Sequence, residues 1–185
     1  MLILGISGSL RRDSHNTRLL RAAASALPEN VELVAWQGLK AVPPYDEDDD
    51  SQTPPPAVAE LRAAIANADA LLFATPEYNS SIPGQLKNAL DWASRPAGAS
   101  VLKNKPVAVI GASTGMFGAV WAQAELRKVL AAAGARVIDA ELPVPHAHEQ
   151  FDEGGAPLAG ELRAGLKQVL TDLVRETRPL AAAAY

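Results

Sequence analysis

Residues 70–92 read ALLFATPEYNSSIPGQLKNALDW, which is a strand, a turn and a helix in succession. The run ALLFAT is apolar almost throughout, as in a strand that is buried on both faces of a parallel sheet. Leu86, Ala89 and Leu90 then recur at the spacing of an amphipathic helix. The intervening turn contains two prolines and ends on a glycine. The stretch therefore predicts a rigid loop at the carboxyl end of a central strand.

Strand and helix signals alternate along the rest of the chain in the same way. The predicted strands are Leu2–Ser7, Val31–Trp36, Ala70–Thr75, Pro106–Ala112 and Arg136–Glu141. The predicted helices are Asn16–Leu27, Ala57–Ala68, Leu86–Ser94, Gly118–Ala133 and Leu158–Arg175. This alternation predicts an α/β fold of three layers, in which right-handed crossover helices cover both faces of a parallel sheet.

Length and composition limit the class of protein. The chain has 185 residues, so we predict one domain over residues 1–185, with a frayed alanine-rich tail at residues 178–185. A net charge of −4 disfavours a nucleic-acid partner, and the absence of cysteine excludes disulfides and thiol chemistry. The sequence contains neither a basic leader nor an apolar run of the roughly 20 residues that span a membrane. We therefore expect a cytoplasmic protein with no membrane partner.

Three loops border the place where such a sheet binds ligands. In a sheet of strand order 2-1-3-4-5 the chain reverses direction between strands one and three, and ligands bind at that point, outside the carboxyl ends of the strands. The loops there read GSLRRDSHN (residues 8–16), PEYNSSIPG (residues 76–84) and STGMFGA (residues 113–119). They are also the loops with the most unusual composition, so topology and composition indicate the same site.

The first loop has the composition of a phosphate site. Ser9, Ser14 and Asn16 are small and polar, and they lead directly into a helix whose first N–H groups and dipole attract anions. Arg11 adds a cation that can bind a phosphate through two hydrogen bonds. The alternative is that Ser14 or Asn16 only caps the helix. The loop matches neither the triphosphate-binding nor the dinucleotide-binding glycine motif.

The other two loops suit a flat heterocyclic ligand. A rigid second loop presents backbone amides and carbonyls, and Tyr78 offers an apolar ring with a polar tip. Tyr78 could instead be a half-buried packing residue, and Glu77 could be only a surface charge. In the third loop, Gly115 and Gly118 would let the backbone approach a ligand closely, although the same glycines suit a tight strand-to-helix turn.

The three loops together resemble the NADPH-dependent FMN reductase family, which includes bacterial quinone, chromate and azo-dye reductases. The segments that carry the resemblance are GSLRRDSHN, TPEYNSSIPGQLKNALDW and STGMFGA, in the family's order and spacing. The segment VPPYDED, residues 42–48, is similar to the family's loop after the second strand. The resemblance covers nearly the whole chain, and the PEYN…PG.LKNA.DW string is its most specific part.

The resemblance implies a flavodoxin-like α/β three-layer sandwich, with a five-stranded parallel sheet in the order 2-1-3-4-5, that forms a single FMN-binding domain. It implies that FMN is held without a covalent bond, its phosphate on the first loop and its ribityl chain and ring on the other two. The implied cofactor-binding residues are Ser9, Arg11, Ser14, His15, Asn16, Pro76, Glu77, Tyr78, Asn79, Ser113, Thr114 and Gly115. Arg11 could alternatively face the extra phosphate of NADPH, with Arg12 beside it.

The implied activity is NAD(P)H oxidation coupled to reduction of a small-molecule acceptor. We expect a ping-pong hydride mechanism, in which NADPH or NADH reduces the flavin and a quinone, or chromate, an azo compound or free flavin, then takes its place. The flavin carries this chemistry, so no catalytic side chain and no metal are expected. Family members are usually dimers or tetramers, and the segment Phe117–Leu130, with Trp121 and Arg127, is the candidate contact.

Several other readings of the sequence stay open at this point. Residues 111–115, GASTG, fit the G-x-S-x-G motif of a serine esterase with Ser113 as nucleophile, and Asp139 and His146 or His148 follow in the right order. A flavodoxin-like electron carrier and a non-catalytic flavin-binding module are two further alternatives. His146 and His148 could ligate a metal, but no third ligand is evident, so we interpret them as part of a surface loop.

Overall fold

The structure is a computed structural model that describes residues 1–152 and 155–177. The tail predicted for residues 178–185 lies outside the described residues. The strands are β1 (Leu2–Ser7), β2 (Glu32–Trp36), β3 (Ala70–Thr75), β4 (Pro106–Ala112), β5 (Arg136–Val137) and β6 (Pro143–Val144). The helices are α1 (His15–Ser25), α2 (Pro56–Asn67), α3 (Gly84–Ala93), α4 (Val120–Ala132) and α5 (Gly160–Glu176). Short 3₁₀ helices cover Gly38–Ala41, Glu47–Asp49 and Ala147–Glu149.

The strands form a parallel sheet in the order β2-β1-β3-β4-β5, which confirms the predicted flavodoxin-like arrangement. In this register Leu4 lies beside Leu71, and Leu71 lies beside Val107. Every residue of β3 and β4 is buried, which explains why both strands are apolar almost throughout. Helices α1 and α5 cover one face, and α2, α3 and α4 cover the other, so the three predicted layers are present.

The predicted last strand, Arg136–Glu141, is wrong in extent. Only β5 pairs beside the start of β4, and the chain then leaves the sheet and returns as β6, which pairs with the far end of β4. The side chain of Gln123 fills the gap, because its Oε1 accepts from the Leu142 N–H (3.2 Å) and its Nε2 donates to the Gly118 carbonyl (3.2 Å). The described sheet therefore has six strands, one more than the sequence predicted.

Helix α3 uses its polar residues to hold the loop that follows β2. Gln85 Nε2 donates to the carbonyls of Leu39 and Val42, both at 2.8 Å. The Asn88 amide donates to the Pro43 carbonyl and accepts from the Tyr45 N–H, and the indole of Trp92 also donates to Pro43 (2.9 Å). The GQLKNALDW part of the motif therefore has a structural function. Lys87 and Asp91, four residues apart on the helix, form an ion pair at 2.7 Å.

None of the described helices combines the length and the apolar character that crossing a bilayer requires. Over residues 1–152 and 155–177, no three histidine, aspartate or glutamate side chains gather in a way that could hold a metal ion.

Candidate functional site

The carboxyl ends of β1, β3 and β4 meet at a cleft of about 130 Å³. Its walls come from all three loops that the sequence singled out. The lining residues are Ser9, Arg11, Ser14, His15, Asn16, Pro76, Glu77, Tyr78, Ala112, Ser113 and Thr114. Ten of the twelve predicted site residues are therefore brought together. Asn79 and Gly115 are adjacent in sequence to lining residues but do not line the cleft, and Ala112 was not predicted.

The hydroxyl groups of the first loop organise that loop. Ser14 is the N-cap of α1, and its Oγ accepts from the Thr17 N–H (3.3 Å), so the capping role is observed. Ser9 Oγ accepts from the Arg11 N–H (3.3 Å). A hydroxyl oxygen that accepts a hydrogen bond still has its own hydrogen to donate. Both serines can therefore donate to an anion in the cleft while they hold the backbone in place.

The side chain of Asn16 connects two elements of the fold. Its side chain is buried, and it donates to the Ala112 carbonyl (2.9 Å) and accepts from the Ala112 N–H (3.0 Å). The amide therefore ties the start of α1 to the end of β4. What Asn16 can offer to an anion is its backbone N–H at the start of the helix. The role of Ala112 lies in its backbone, which is why its side-chain type gave no signal in the sequence.

His15 provides a buried polar atom whose hydrogen bond is unmet. Within the described part of the chain its Nδ1 is inaccessible to solvent and has no hydrogen-bond partner. Burial lowers the pKa of His15, and the nearby charges of Arg18 and Arg11 lower that pKa further. The imidazole is therefore neutral at neutral pH, beside the exposed guanidinium of Arg11. A buried polar atom without a hydrogen-bond partner is uncommon in folded proteins.

The second loop is a tight hairpin held against α4. Tyr78 and Ser81 exchange two backbone hydrogen bonds (3.0 and 3.1 Å), and Asn79 and Ser80 between them have φ of 53° and 59°. Positive φ at both central residues defines a type I′ turn, which suits asparagine and fits the twist of a hairpin. Tyr78 is 49% exposed and lines the cleft, so about half of its surface is accessible to a ligand.

Glu77 is neither a free surface charge nor an obvious ligand. Its Oε2 accepts hydrogen bonds from the N–H groups of Trp121 (3.0 Å) and Ala122 (3.1 Å), in the first turn of α4. The helix has no side-chain cap of its own, because Ala119 occupies the N-cap position in a left-handed conformation. Glu77 therefore caps α4 from another element and fixes the second loop to the third.

The two glycines of the third loop have separate functions. Gly118 has φ +59°, and a Cβ there would lie 2.6 Å from the Val144 nitrogen, so this glycine lets the loop pack on β6. This packing agrees with the alternative of a tight strand-to-helix turn, and the approach of Gly118 to a ligand stays a prediction. Gly115 is exposed, with open space around the position of a Cβ apart from Ser113 Oγ at 3.5 Å. Its N–H donates to that same Oγ (3.1 Å).

The esterase alternative does not fit this geometry. The Ser113 backbone is not among the described residues with positive φ, and its Oγ makes no hydrogen bond to a described histidine. Asp139 pairs with Arg127 (2.6 Å), and His148 Nε2 lies 3.1 Å from Glu149. A nucleophile elbow needs a strained serine with a histidine in hydrogen-bond reach. The elements of a triad are therefore present in the sequence but are not assembled.

The donors of the cleft fit a phosphorylated ligand. They comprise the Arg11 guanidinium, the two serine hydroxyls, the first N–H groups of α1 and the neutral His15. Hydrogen-bond donors at a helix N-terminus favour phosphate, and a neutral imidazole can complete the set. The same cleft opens between the hairpin of the second loop and the exposed third loop, which leaves room for a flat group to extend from the phosphate position.

Comparison with known proteins identifies the family. Residues 1–149 match the family model described as NADPH-dependent FMN reductase. The chain is 41% identical over 172 residues to an NAD(P)H-dependent FMN reductase of Pseudomonas aeruginosa, covering 92% of each chain. It is 42% identical over 163 residues to a 2-hydroxy-1,4-benzoquinone reductase of Burkholderia sp, covering 88% of each.

A solved structure agrees with these sequence relatives. FerB, a flavoenzyme NAD(P)H:(acceptor) oxidoreductase of Paracoccus denitrificans, superposes with a TM-score of 0.85 at 32% identity, over 95% of this chain and 98% of that chain. Fold and site thus define a flavodoxin-like flavin oxidoreductase. The chain belongs to the NADPH-dependent FMN reductase family, as the resemblance implied, and it is an oxidoreductase that uses FMN with NAD(P)H as donor. This membership favours the enzyme over the esterase and the electron carrier.

Proposed function

We propose that this FMN-dependent oxidoreductase reduces quinones, and that the cleft at the ends of β1, β3 and β4 is where it holds FMN. The observation that carries the proposal is the set of phosphate donors on the first loop, where the Arg11 guanidinium and the Ser9 and Ser14 hydroxyls line the cleft at the N-terminus of α1. Bound FMN supplies the hydride-transfer chemistry. The protein contributes binding, orientation and the exclusion of water from one side of the ring.

In this proposal the first loop holds the phosphate. Arg11 supplies the cation, and Ser9 and Ser14 donate their hydroxyl hydrogens while their oxygens accept from the backbone. The backbone N–H groups of His15 and Asn16 add the positive end of the α1 dipole. Because these groups are already held in place by hydrogen bonds within the loop, little conformational entropy is lost on binding.

The other two loops contact the ribityl chain and the ring. Pro76, Tyr78 and Asn79 belong to the rigid hairpin on one side, and Ser113, Thr114 and Gly115 form the facing wall. Glu77 acts through its cap of α4, which sets the distance between these two walls. The outer rim carries the exposed Tyr78, so a nicotinamide and an acceptor can use the same open face in turn.

Cofactor identity and the phosphate site can be tested together. Heat treatment of the purified protein should release a yellow compound with the mass of FMN. Titration of the stripped protein should quench FMN fluorescence more strongly than riboflavin fluorescence, because riboflavin lacks the phosphate. Arg11→Ala should weaken FMN binding about tenfold or more, the value of a charge-assisted hydrogen bond, and leave riboflavin binding unchanged. Lys128→Ala, an exposed cation on α4, is the matched control.

Two different results would contradict the proposed function and the proposed phosphate site. A colourless protein that takes up no added FMN would contradict the proposed function. Equal affinities for FMN and riboflavin would refute the phosphate site while leaving the enzyme class intact.

Quinones are the acceptor class that the relatives support. The Burkholderia relative is named for a hydroxybenzoquinone, and further relatives at 40% identity are named quinone reductases. With NADPH and a benzoquinone, parallel lines in double-reciprocal plots would support the ping-pong order. A kcat/KM for free FMN or chromate above that for the quinone would contradict this choice of acceptor.

We also propose that residues 1–185 form one FMN-binding domain and that the enzyme works as a homodimer or homotetramer. An apolar patch beside the cleft supports assembly: Met116, Phe117 and Trp121 are 66%, 54% and 46% exposed. The rings of Phe117 and Trp121 pack edge to face, 4.8 Å between centroids, so they form a preformed apolar surface. The cytoplasmic location stays a prediction.

A further inference from the structure

A second cleft adjoins the first along the outer side of α1. Its volume is about 160 Å³, and it is lined by Arg12, Asp13, Ser14, Thr17, Arg18, Arg21 and Gly155. Ser14 lines both clefts, so the two are neighbours. The proposed FMN site uses Arg11, whereas the second cleft uses three other arginines. No part of the mechanism described above employs it.

The second cleft concentrates positive charge in an acidic protein. Among the described residues, its lining has three guanidinium groups and one carboxylate, that of Asp13, although the chain as a whole has a net charge of −4. Arg18 and Arg21 lie one turn apart on α1, so both reach the same side of the helix, and Arg12 comes from the preceding loop. Across the described residues, the ion pairs include none of these three arginines.

The composition of this cleft matches a phosphate monoester. A guanidinium presents planar, paired donors that fit phosphate oxygens, and two or three of them can neutralise a dianion. The lining also includes the hydroxyl-bearing Ser14 and Thr17. Large aromatic or aliphatic side chains are missing from the lining given by the described residues, so the cleft offers nothing to stack on a base or a flavin ring. It suits a single charged group.

We propose that Arg12, Arg18 and Arg21 bind the 2′-phosphate of NADPH and so make NADPH, rather than NADH, the preferred donor. The proposal rests on the proposed function, because it assumes that the nicotinamide reaches a flavin in the neighbouring cleft. NADH lacks the 2′-phosphate and would leave the three cations unpaired. A site built for a polar group discriminates strongly against the analogue that lacks this group. The FMN phosphate is the other candidate occupant, and the experiment distinguishes the two.

The experiment uses the FMN-loaded protein and two readouts. Isothermal titration should show binding of 2′-AMP and much weaker binding of adenosine, which lacks the phosphate. Steady-state kinetics should give a kcat/KM for NADPH well above that for NADH. Arg18→Gln and Arg21→Gln should each lower the kcat/KM for NADPH and the affinity for 2′-AMP about tenfold, because each removes charge-assisted hydrogen bonds to the phosphate. The kcat/KM for NADH should stay unchanged.

Two further variants sharpen the test. Asp13→Asn removes the negative charge that would repel a phosphate in the cleft, so it should strengthen 2′-AMP binding and raise the preference for NADPH over NADH. Lys128→Gln removes one positive charge from the exposed face of α4, far along the chain from this cleft, and should change neither value. Both comparisons should be made at low ionic strength, because salt screens exposed charges.

Three results would overturn the proposal. The first is equal loss of kcat/KM with NADPH and NADH in the arginine variants, and the second is failure of 2′-AMP to bind the wild-type protein. The third is a fall in FMN affinity in Arg21→Gln with an unchanged donor ratio, which would assign the cluster to the flavin phosphate. A protein that binds FMN and oxidises both donors equally would lose this site but keep the proposed function. A protein without FMN would fail the proposed function, and 2′-AMP titration would still test the cleft.

Discussion

At the scale of single residues, the site depends on side chains that hold the backbone. Glu77, Ser14 and Asn16 all lie in motifs that suggest ligand contact, yet each makes its observed hydrogen bonds to main-chain groups. Glu77 joins the loop after β3 to the start of α4. A carboxylate at a helix N-terminus both satisfies orphan N–H groups and interacts with the helix dipole.

Glu77→Ala tests this cap. The variant loses two hydrogen bonds to the first turn of α4, so the free energy of unfolding of the FMN-free protein should fall by about 1–2 kcal/mol. FMN should also bind more weakly, because the two walls of the cleft are no longer fixed to each other. Urea denaturation followed by circular dichroism and a fluorescence titration measure the two effects.

A conservative variant and a control variant test whether the cap itself causes the loss of stability. Glu77→Gln keeps an oxygen acceptor and should recover more than half of the lost stability. Glu125→Ala, which removes a carboxylate from α4 outside the cap, should have little effect. An alanine variant at position 77 with wild-type stability would show that the cap contributes nothing.

At the scale of elements, the edge of the sheet depends on one helix residue. Between β5 and β6 the chain leaves β4, and the amide of Gln123 takes the place of main-chain partners for Leu142 and Gly118. Gly111 permits this insertion, because a Cβ there would lie 3.0 Å from the Gln123 side chain. A buried amide in this position is fully satisfied and replaces the missing part of the ladder.

Gln123→Leu should therefore be strongly destabilising. It keeps the volume of the side chain but leaves the Leu142 N–H and the Gly118 carbonyl without partners, and each buried unsatisfied group costs about 1–3 kcal/mol. We expect a loss of about 3 kcal/mol in the free energy of unfolding, measured by urea denaturation. Lys128→Leu introduces the same residue on the exposed side of α4 and should change stability by less than about 0.5 kcal/mol. A small effect at position 123 would mean that water replaces the amide.

At the scale of the whole molecule, the apolar surface and the active cleft lie at the same end of the sheet. Phe117 and Trp121 extend from the third loop and the start of α4, close to the hairpin that contains Tyr78. Because Glu77 connects that hairpin to Trp121, a partner subunit seated on the patch would also press on the wall of the cleft. Assembly and cofactor retention should therefore be coupled.

Trp121→Glu tests this coupling. A charge in the apolar patch should convert the proposed dimer or tetramer into monomers, because burying an unpaired carboxylate is costly. Light scattering after size-exclusion chromatography measures the change, and the FMN dissociation constant should rise in parallel. Lys128→Glu places the same charge elsewhere on α4 as a control. A wild-type protein that is monomeric at micromolar concentration would contradict the proposed assembly.

The sequence by itself determined the fold class and the location of the site. Apolar runs such as ALLFAT specify buried parallel strands, because burial on both faces excludes polar residues, and the bounds of β1, β3 and β4 follow directly. The composition of the three loops identified the residues that line the cleft, since loops at a strand-order reversal are under little packing constraint.

Tertiary structure alone decided what those residues touch. The cap by Glu77, the Asn16–Ala112 pair and the Gln123 bridge join residues 44, 96 and 19 positions apart along the chain. Whether a polar side chain faces a ligand or a distant backbone group depends on how the layers pack. Local sequence does not specify which distant residues that packing brings together. The short β5 shows the same limit, because local sequence does not reveal that its pairing with β4 stops at Val137 or that a helix side chain, Gln123, bonds to Leu142 just before β6.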